Sequence, residues 1–319
     1  MTPAPRLIPQ AGPSVWTGAA LNPADWMVPI GTEAAAELEA ALVALGGRVP
    51  AGPDDVALPC LAPVLRMVAE RLEHGRGFVL LRGLDLGRLP GPAAEAALLV
   101  LGAHLGIALA QDEGGSLVGR LAGPGAGTGA PVRFHADPAD AVALLCLRQP
   151  REGGRVTLVS AAALHNALLK SDRAALAALH AGLPHRHGRG ETRHIPVFST
   201  ASGSFVGRYD RSALLEEALE EAQRGALAAL DAAAAAPGQA LSLALHAGDL
   251  LFLNPHLVWK QMAMGEVPAA EEAARELLRL WLATPGSRAL PESFGAVFGT
   301  TAAGAPRGGV PQSGGMVGG

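Results

Sequence analysis

Apolar residues recur along this chain with two different periods. After Thr32, the positions Leu38, Leu42 and Leu45 follow at helical spacing with glutamates between them, so Thr32 is expected to cap a helix that buries one face. Residues 171–182 read as a helix opened by an N-cap and closed by a glycine, and residues 212–224 as a second, acid-rich helix. Elsewhere the period is that of strands. Phe78-Val79-Leu80-Leu81, closed by Arg82-Gly83, predicts a buried strand, as does the apolar run 141–147. Beyond an Ala-rich stretch ending at Pro237, strand-like segments follow around 241–245, 250–259 and 277–283. The second half of the chain is therefore expected to carry the β-structure. The Gly- and Pro-rich residues 302–319 offer little to bury, which predicts a mobile tail or a strapped-down loop after a single domain spanning residues 1–301.

Composition narrows the possible partners. With 319 residues and 49% hydrophobic content the chain can bury a sizeable core, and a formal charge of −4 supplies no general attraction for nucleic acid or an anionic membrane. A small-molecule substrate is the expected partner, and the oligomeric state is left open. Cys60 and Cys146 are too few for a disulfide framework or a four-thiolate zinc site, and Cys146 lies in an apolar run where a buried, inert thiol is expected. The first residues lack a basic start followed by an apolar stretch, and no apolar run is long enough to span a bilayer, so a cytoplasmic location is expected.

The candidate chemistry begins at His135-Ala136-Asp137. A His-x-Asp pair on one extended segment, joined by a distant His, makes the 2-His-1-carboxylate set of non-haem iron(II) oxygenases, which leaves coordination positions open for co-substrate and oxygen. Taken alone the pair is weak in a chain with ten histidines, but its surroundings strengthen it. Phe134 to Asp140 leads into Val142-Ala143-Leu144-Leu145-Cys146-Leu147, then Arg148 to Gly154, then Leu158-Val159-Ser160 and Leu164-His165-Asn166. With Gly77 to Gly83, residues 111–119, Ile195-Pro196-Val197-Phe198, Arg208-Tyr209-Asp210-Arg211, Gly248-Asp249, Phe252-Leu253-Asn254, Leu277 to Leu282 and Arg307-Gly308-Gly309, the whole order resembles the TauD/TfdA-like family of iron(II)- and 2-oxoglutarate-dependent dioxygenases. The resemblance implies an α/β (α+β) fold, a double-stranded β-helix or jelly-roll core with surrounding helices. It also implies iron(II) and 2-oxoglutarate as cofactors and a small metabolite as substrate.

Carried over position by position, the resemblance places metal ligands at His135 and Asp137 and a 2-oxoglutarate-binding guanidinium at Arg279. The distal histidine of the family falls on Lys260, and the arginine expected two residues later is Met262. Lys260 is thus expected to be a third ligand, an ion-pair partner of Asp137 or a reactive amine. His256 lies four residues before it and is not promoted to ligand. Where the family places a hydroxyl for 2-oxoglutarate stands Val156; Thr157 is the remaining candidate, although an offset of one residue turns a strand side chain to the other face. His185-x-His187, among Arg186, Arg189 and Arg193, reads as a solvated or anion-facing loop, and Glu216, Glu217, Glu220 and Glu221 as a solvated helix face. The expected function is a non-haem iron oxygenase-type oxidoreductase with an atypical His-Asp-Lys site. The alternatives are a metal-free binding domain on the same fold, or an altered-metal enzyme that no longer uses 2-oxoglutarate.

Overall fold

In the computed structural model the described residues are 7–89, 91–122, 133–149, 154–187, 191–262 and 275–311. In chain order they form β1 (Met27–Pro29), α1 (Thr32–Leu45), α2 (Leu61–Glu73), β2 (Phe78–Arg82), α3 (Pro92–Ala103), β3 (Ile107–Leu109) and β4 (Val118–Ala122). Next come β5 (Ala141–Arg148), β6 (Val156–Ser160), α4 (Ala161–Ser171), α5 (Arg173–Ala181), β7 (Leu183–His187), β8 (Glu191–Ile195), β9 (Phe198–Ala201) and β10 (Ser204–Gly207). The chain closes with α6 (Glu221–Ala235), β11 (Leu241–Leu243), β12 (Leu250–Leu253), β13 (Val258–Met262), β14 (Glu276–Ala283) and α7 (Gly295–Phe298).

Two sheets face each other. The larger runs β1-β2-β12-β5-β14-β3, with β4 also paired to β14, and the smaller runs β11-β6-β13. Alternation of side chains sorts the core into layers. Val142, Leu144 and Cys146 of β5 and Leu277 and Trp281 of β14 meet Val156 and Leu158 of β6 and Val258 of β13 between the sheets. The alternate residues Ala143, Leu145, Leu278, Leu280 and Leu282 face outward and are covered by α1, α2 and α3. On the other side Val159 and Trp259 face α4, α5 and α6. This is a double-stranded β-helix with a helical layer outside each sheet, as the α+β jelly-roll expectation requires. Cys146 is fully buried, and burial, then the Asp249 charge, push its thiol up to about 12, which makes it inert.

Several local expectations are corrected. Thr32 opens α1 but the capping position is Gly31, with no side-chain cap. The acid-rich segment 212–224 is not one helix: short 3-10 turns span Arg211–Ala213 and Glu216–Ala218, and α6 begins at Glu221, running on through the alanines. Alanine has the higher helix propensity and the buried Leu227 and Leu230 supply the packing, so the helix forms downstream of the acids. The segment 250–259 breaks into two strands at Asn254, whose side chain accepts from His256 N and donates to the Leu72 carbonyl at the end of α2. His185 lies in β7 rather than in a loop; it is buried, with Nδ1 2.9 Å from its own strand's Leu183 carbonyl. The side chain of His187 and residues 188–190 lie outside the described residues.

Residues 302–311 are strapped across the end of the sandwich by Arg307, while 312–319 lie outside the described residues. The buried Arg307 guanidinium donates through Nε (2.9 Å) and Nη2 (2.7 Å) to Asp140, and through Nη1 to the Ala302 carbonyl. Gly308 has φ +88° and lies so close to the Pro138 carbonyl that a Cβ would collide with it, so this turn demands glycine. Asp140 and Pro138 flank the His-x-Asp segment, so the strap steadies the functional end of the fold. Arg307→Ala would leave Asp140 buried with the His256 imidazole as its remaining side-chain contact and no arginine beside it. A loss of about 3–5 kcal/mol in urea unfolding is expected, and a loss below 1 kcal/mol would show the strap to be dispensable.

A second prediction follows from His165 and His180, whose Nε2 atoms lie 3.2 Å apart beneath Phe198. Burial, then the neighbouring His165, lower the His180 pKa to about 4. In the unfolded chain the group titrates near 6.5, so the unfolded state takes up the proton first and stability is lost as the pH falls from about 6.5 towards 4. Urea midpoints measured across that window should fall less steeply in His180→Phe than in wild type; parallel curves would refute the assignment.

Candidate active site

Four chain segments bring the site together. His135 and Asp137 lie on an extended stretch leading into β5. That stretch pairs with β13 through His135 N to the Lys260 carbonyl (2.9 Å) and Lys260 N to the His135 carbonyl (3.2 Å), and on its other side Ala136 N donates to the Tyr209 carbonyl (2.7 Å). Ala136, Tyr209 and Trp259 pack together in the outer layer. By alternation, His135, Asp137, Arg208, Asp210 and Lys260 project to the opposite side, toward the space between the sheets. Lys260 stands opposite Leu158 of β6, and Arg279 on β14 shares the inward face of Leu277 and Trp281. A cleft of about 620 Å³ opens above them, lined by His135, Asp137, Asp210, Arg211, Arg279 and Trp281 among others.

The centre of this arrangement is Asp137, which is buried and surrounded by donors. Lys260 Nζ makes a short ion pair with its Oδ2, while Arg279 Nη1 (3.2 Å) and Trp281 Nε1 (3.1 Å) donate to its Oδ1. Burial pushes this carboxyl up, but the Lys260 charge and hydrogen bond, with the Arg279 charge, outweigh burial and hold it well below the ordinary carboxylate range. It is an anion at every physiological pH. His135 approaches the Arg133 carbonyl through Nδ1 (3.1 Å) and Lys260 Nζ through Nε2 (3.1 Å). An Nδ1–H donating to the carbonyl assigns the tautomer whose Nε2 lone pair accepts from lysine. The Lys260 charge first, and burial second, keep the imidazole below its usual pKa and hence neutral. Lys260 is itself 1% exposed, and burial pulls its ammonium below the usual lysine pKa, while the Asp137 charge and hydrogen bond oppose the loss of the proton.

Arg279 is held from behind by Gln111, a residue whose role sequence reasoning missed. The Gln111 Oε1 accepts from Arg279 Nε (2.7 Å), and its Nε2 donates to the Arg279 carbonyl (2.6 Å) and the Leu117 carbonyl (2.8 Å). The guanidinium also lies over the Trp281 ring, 4.3 Å from its centre. Its orientation is therefore fixed before any ligand arrives. At the rim, Asp231 accepts from Arg133, Arg211 and the Tyr209 hydroxyl.

His135, Asp137, Lys260 and Arg279 thus meet at one end of one core. Thr157 does not join them. It stands opposite Gln261 and Ser242, one residue out of phase with Lys260, and so lies on the outward face of the small sheet. The inward positions beside Lys260 are Val156 and Met262, which pair with each other and pack into the apolar layer. The expectation that Thr157 touches a cofactor in this cleft is therefore corrected. His256 is also elsewhere: it is buried 3.3 Å from Asp140, on a turn between β12 and β13.

These residues do not fit a metal ion as they stand. His135 Nε2 and Asp137 Oδ2 are the two conventional ligand atoms, and Lys260 donates to both. Among the described residues no group of three His, Cys, Asp or Glu side chains is placed to hold a metal.

The fold and the His-x-Asp segment define the architecture of a non-haem iron oxygenase. A family model described as "Taurine catabolism dioxygenase TauD, TfdA family" matches residues 46–281, and the chain belongs to that family. FR-33289 synthase of Streptomyces rubellomurinus (strain ATCC 31215) is 28% identical over 265 residues, covering 75% of this chain and 78% of that protein. The structure of an asparagine oxygenase in complex with Fe(II), 2S,3S-3-hydroxyasparagine and succinate superposes with a TM-score of 0.65 at 21% identity, covering 81% of this chain and 93% of that one. The non-haem iron oxygenase OrfP, in complex with Fe, succinate and (3R,4R)-dihydroxy-L-Arg, superposes with a TM-score of 0.61 at 17% identity over 80% and 93%.

Removing Lys260 tests its structural weight. Lys260→Met would leave Asp137 ionised and buried with Arg279 as its remaining direct cationic contact, and a destabilisation of about 3 kcal/mol is expected. The double variant Lys260→Met/Asp137→Leu removes both charges and should recover most of that loss in chemical denaturation. Additive losses in the double variant would mean that the two side chains do not depend on each other.

Proposed function

We propose that the protein is an oxidoreductase of the non-haem iron oxygenase class that acts on a small, carboxylate-bearing metabolite, and that Lys260 makes it a weak iron site. Family membership supports the class. The observation that carries the second half is the placement of Lys260 Nζ on both the imidazole and carboxylate atoms that would hold iron(II). When bound, iron(II) and 2-oxoglutarate supply the oxidising chemistry of this class. The residues of this chain supply the rest. Asp137 and a neutral His135 present an oxygen and a nitrogen lone pair, Arg279 presents a planar cation suited to a carboxylate, and Trp281 with the apolar layer beneath it restricts water. Iron can enter only by displacing the Lys260 ammonium or after it gives up a proton, and either route penalises metal loading.

The same contact favours a second reading, a metal-free binding domain on this fold, because Lys260 already provides the positive charge that Asp137 requires. Anaerobic iron(II) titration of wild type and Lys260→His, followed by oxygen consumption with 2-oxoglutarate, separates the possibilities. Iron affinity is expected to rise at least roughly tenfold in the histidine variant, about 1.4 kcal/mol or more. Tight stoichiometric binding by wild type that histidine does not improve would contradict the role of Lys260. A wild type that takes up no iron and consumes no oxygen would favour the binding domain.

Arg279 gives an independent test of the metabolite site. Calorimetry with 2-oxoglutarate and with succinate should show binding to wild type that is lost in Arg279→Ala. Equal binding by both proteins would remove Arg279 from the site.

A further inference from the structure

One cation beside the cleft has no partner that accounts for it. Arg208 is 5% exposed, and its Nε and Nη1 make no hydrogen bond. Its nearest carboxylate is Asp210, whose Oδ2 lies 3.9 Å from Nη2, beyond hydrogen-bond length. The guanidinium otherwise faces the Phe298 ring, 5.6 Å from its centre. Among the neighbouring acceptors, Asp210 Oδ1 takes the Ser212 N–H and hydroxyl, and Asp137 is filled by Lys260, Arg279 and Trp281. Arg307 shows what a buried arginine in this fold does when its role is structural, since it makes four hydrogen bonds to Asp140 and to the Ala302 and Arg288 carbonyls.

A guanidinium cannot relieve its burial by releasing a proton, so donors of this kind left unmet in a native interior point to a partner that arrives from outside. The direction of approach is set by the backbone. Arg208 and Asp210 flank Tyr209, which faces the outer layer, so both leave the backbone on its other side; Asp210 lines the cleft, and Arg208 is buried behind that lining, against Phe298. Asp137 is close enough for its charge, after that of Asp210, to act on the Arg208 guanidinium.

We infer that Arg208 is the anchor for a carboxylate of the bound metabolite, donating to it through Nε and Nη1 from beside Asp210. This rests on the reading of the cleft as a small-metabolite site. It gives that site a second anion receptor, separate from Arg279, which is already oriented by Gln111 and Asp137. A ligand carrying one carboxylate can use Arg208 alone, whereas a dicarboxylate can engage both arginines.

The test is thermal melting and calorimetry with glycine, succinate and inorganic phosphate on wild type, Arg208→Met, Arg208→Lys and Arg279→Ala. Without ligand, Arg208→Met is expected to melt at or above the wild-type temperature, because an unpaired buried charge has been replaced by an apolar side chain of similar length. Its affinity for glycine and succinate should nevertheless fall at least roughly tenfold, with part of the loss recovered in Arg208→Lys. If Arg208→Met fails to fold, the arginine is structural and the inference is overturned; undiminished carboxylate affinity in Arg208→Lys, which lacks an Nε–H and an Nη1, overturns it as well. Should wild type and Arg208→Met bind alike while Arg279→Ala does not, this inference fails and the metabolite site stands. Wild type that binds none of the three probes defeats both, and binding of phosphate alone defeats the carboxylate assignment.

Discussion

The functional end of this molecule is organised by one buried ion pair, Lys260 with Asp137. A carboxylate placed between two sheets needs compensating positive charge, because burial penalises an unpaired ion by several kcal/mol. Iron(II) can supply that charge in a complete oxygenase site. Here a lysine from β13 reaches the same two atoms, the Asp137 oxygen and the His135 nitrogen, and supplies it from within the chain. The arrangement is self-consistent in its protons: the imidazole is neutral, the carboxylate ionised and the ammonium shared between them.

Neighbouring substitutions agree with this local chemistry. Val156 and Met262, inward-facing partners across β6 and β13, place apolar side chains next to the lysine on the small sheet. Asp137 remains the hub, since Arg279 and Trp281 both donate to it from the opposite sheet and so join the two halves of the sandwich. The oxygenase frame is thus retained, and within it the Lys260 ammonium meets the Asp137 carboxylate. Arg307 and Asp140 steady the frame from the side, and the Gln111 amide fixes Arg279 from behind.

Much of this was legible in the sequence, and the parts that were not have identifiable causes. The sheet strands carrying Phe78, Val142 and Leu277 are apolar on both faces because helices cover one side and the second sheet the other, and this continuous apolarity marks them as buried. His135, Asp137, Lys260 and Arg279 could be aligned by order alone, since each is tied to a strand. The position of Thr157 followed the one-residue phase rule rather than its hydroxyl chemistry. The bonds from Gln111 to Arg279 escaped notice because the two residues are 168 positions apart and the other Gln111 contacts are to backbone carbonyls, which leave no pattern in sequence. The unmet donors of Arg208 were equally invisible, because only packing reveals that a charged side chain lacks a partner. The failure at 212–224 came from reading four glutamates as a helix face when the apolar contacts that secure α6 begin further on.

The ion pair can be observed directly, because Lys170 and Lys260 are the only lysines in the chain. Protein labelled with nitrogen-15 at lysine Nζ gives two ammonium signals that nuclear magnetic resonance can separate. At neutral pH one of them should belong to Lys260, exchange slowly with water and move sharply in Asp137→Asn. A Lys260 signal that exchanges as fast as that of Lys170, or one that reports a neutral amine insensitive to Asp137, would contradict the account.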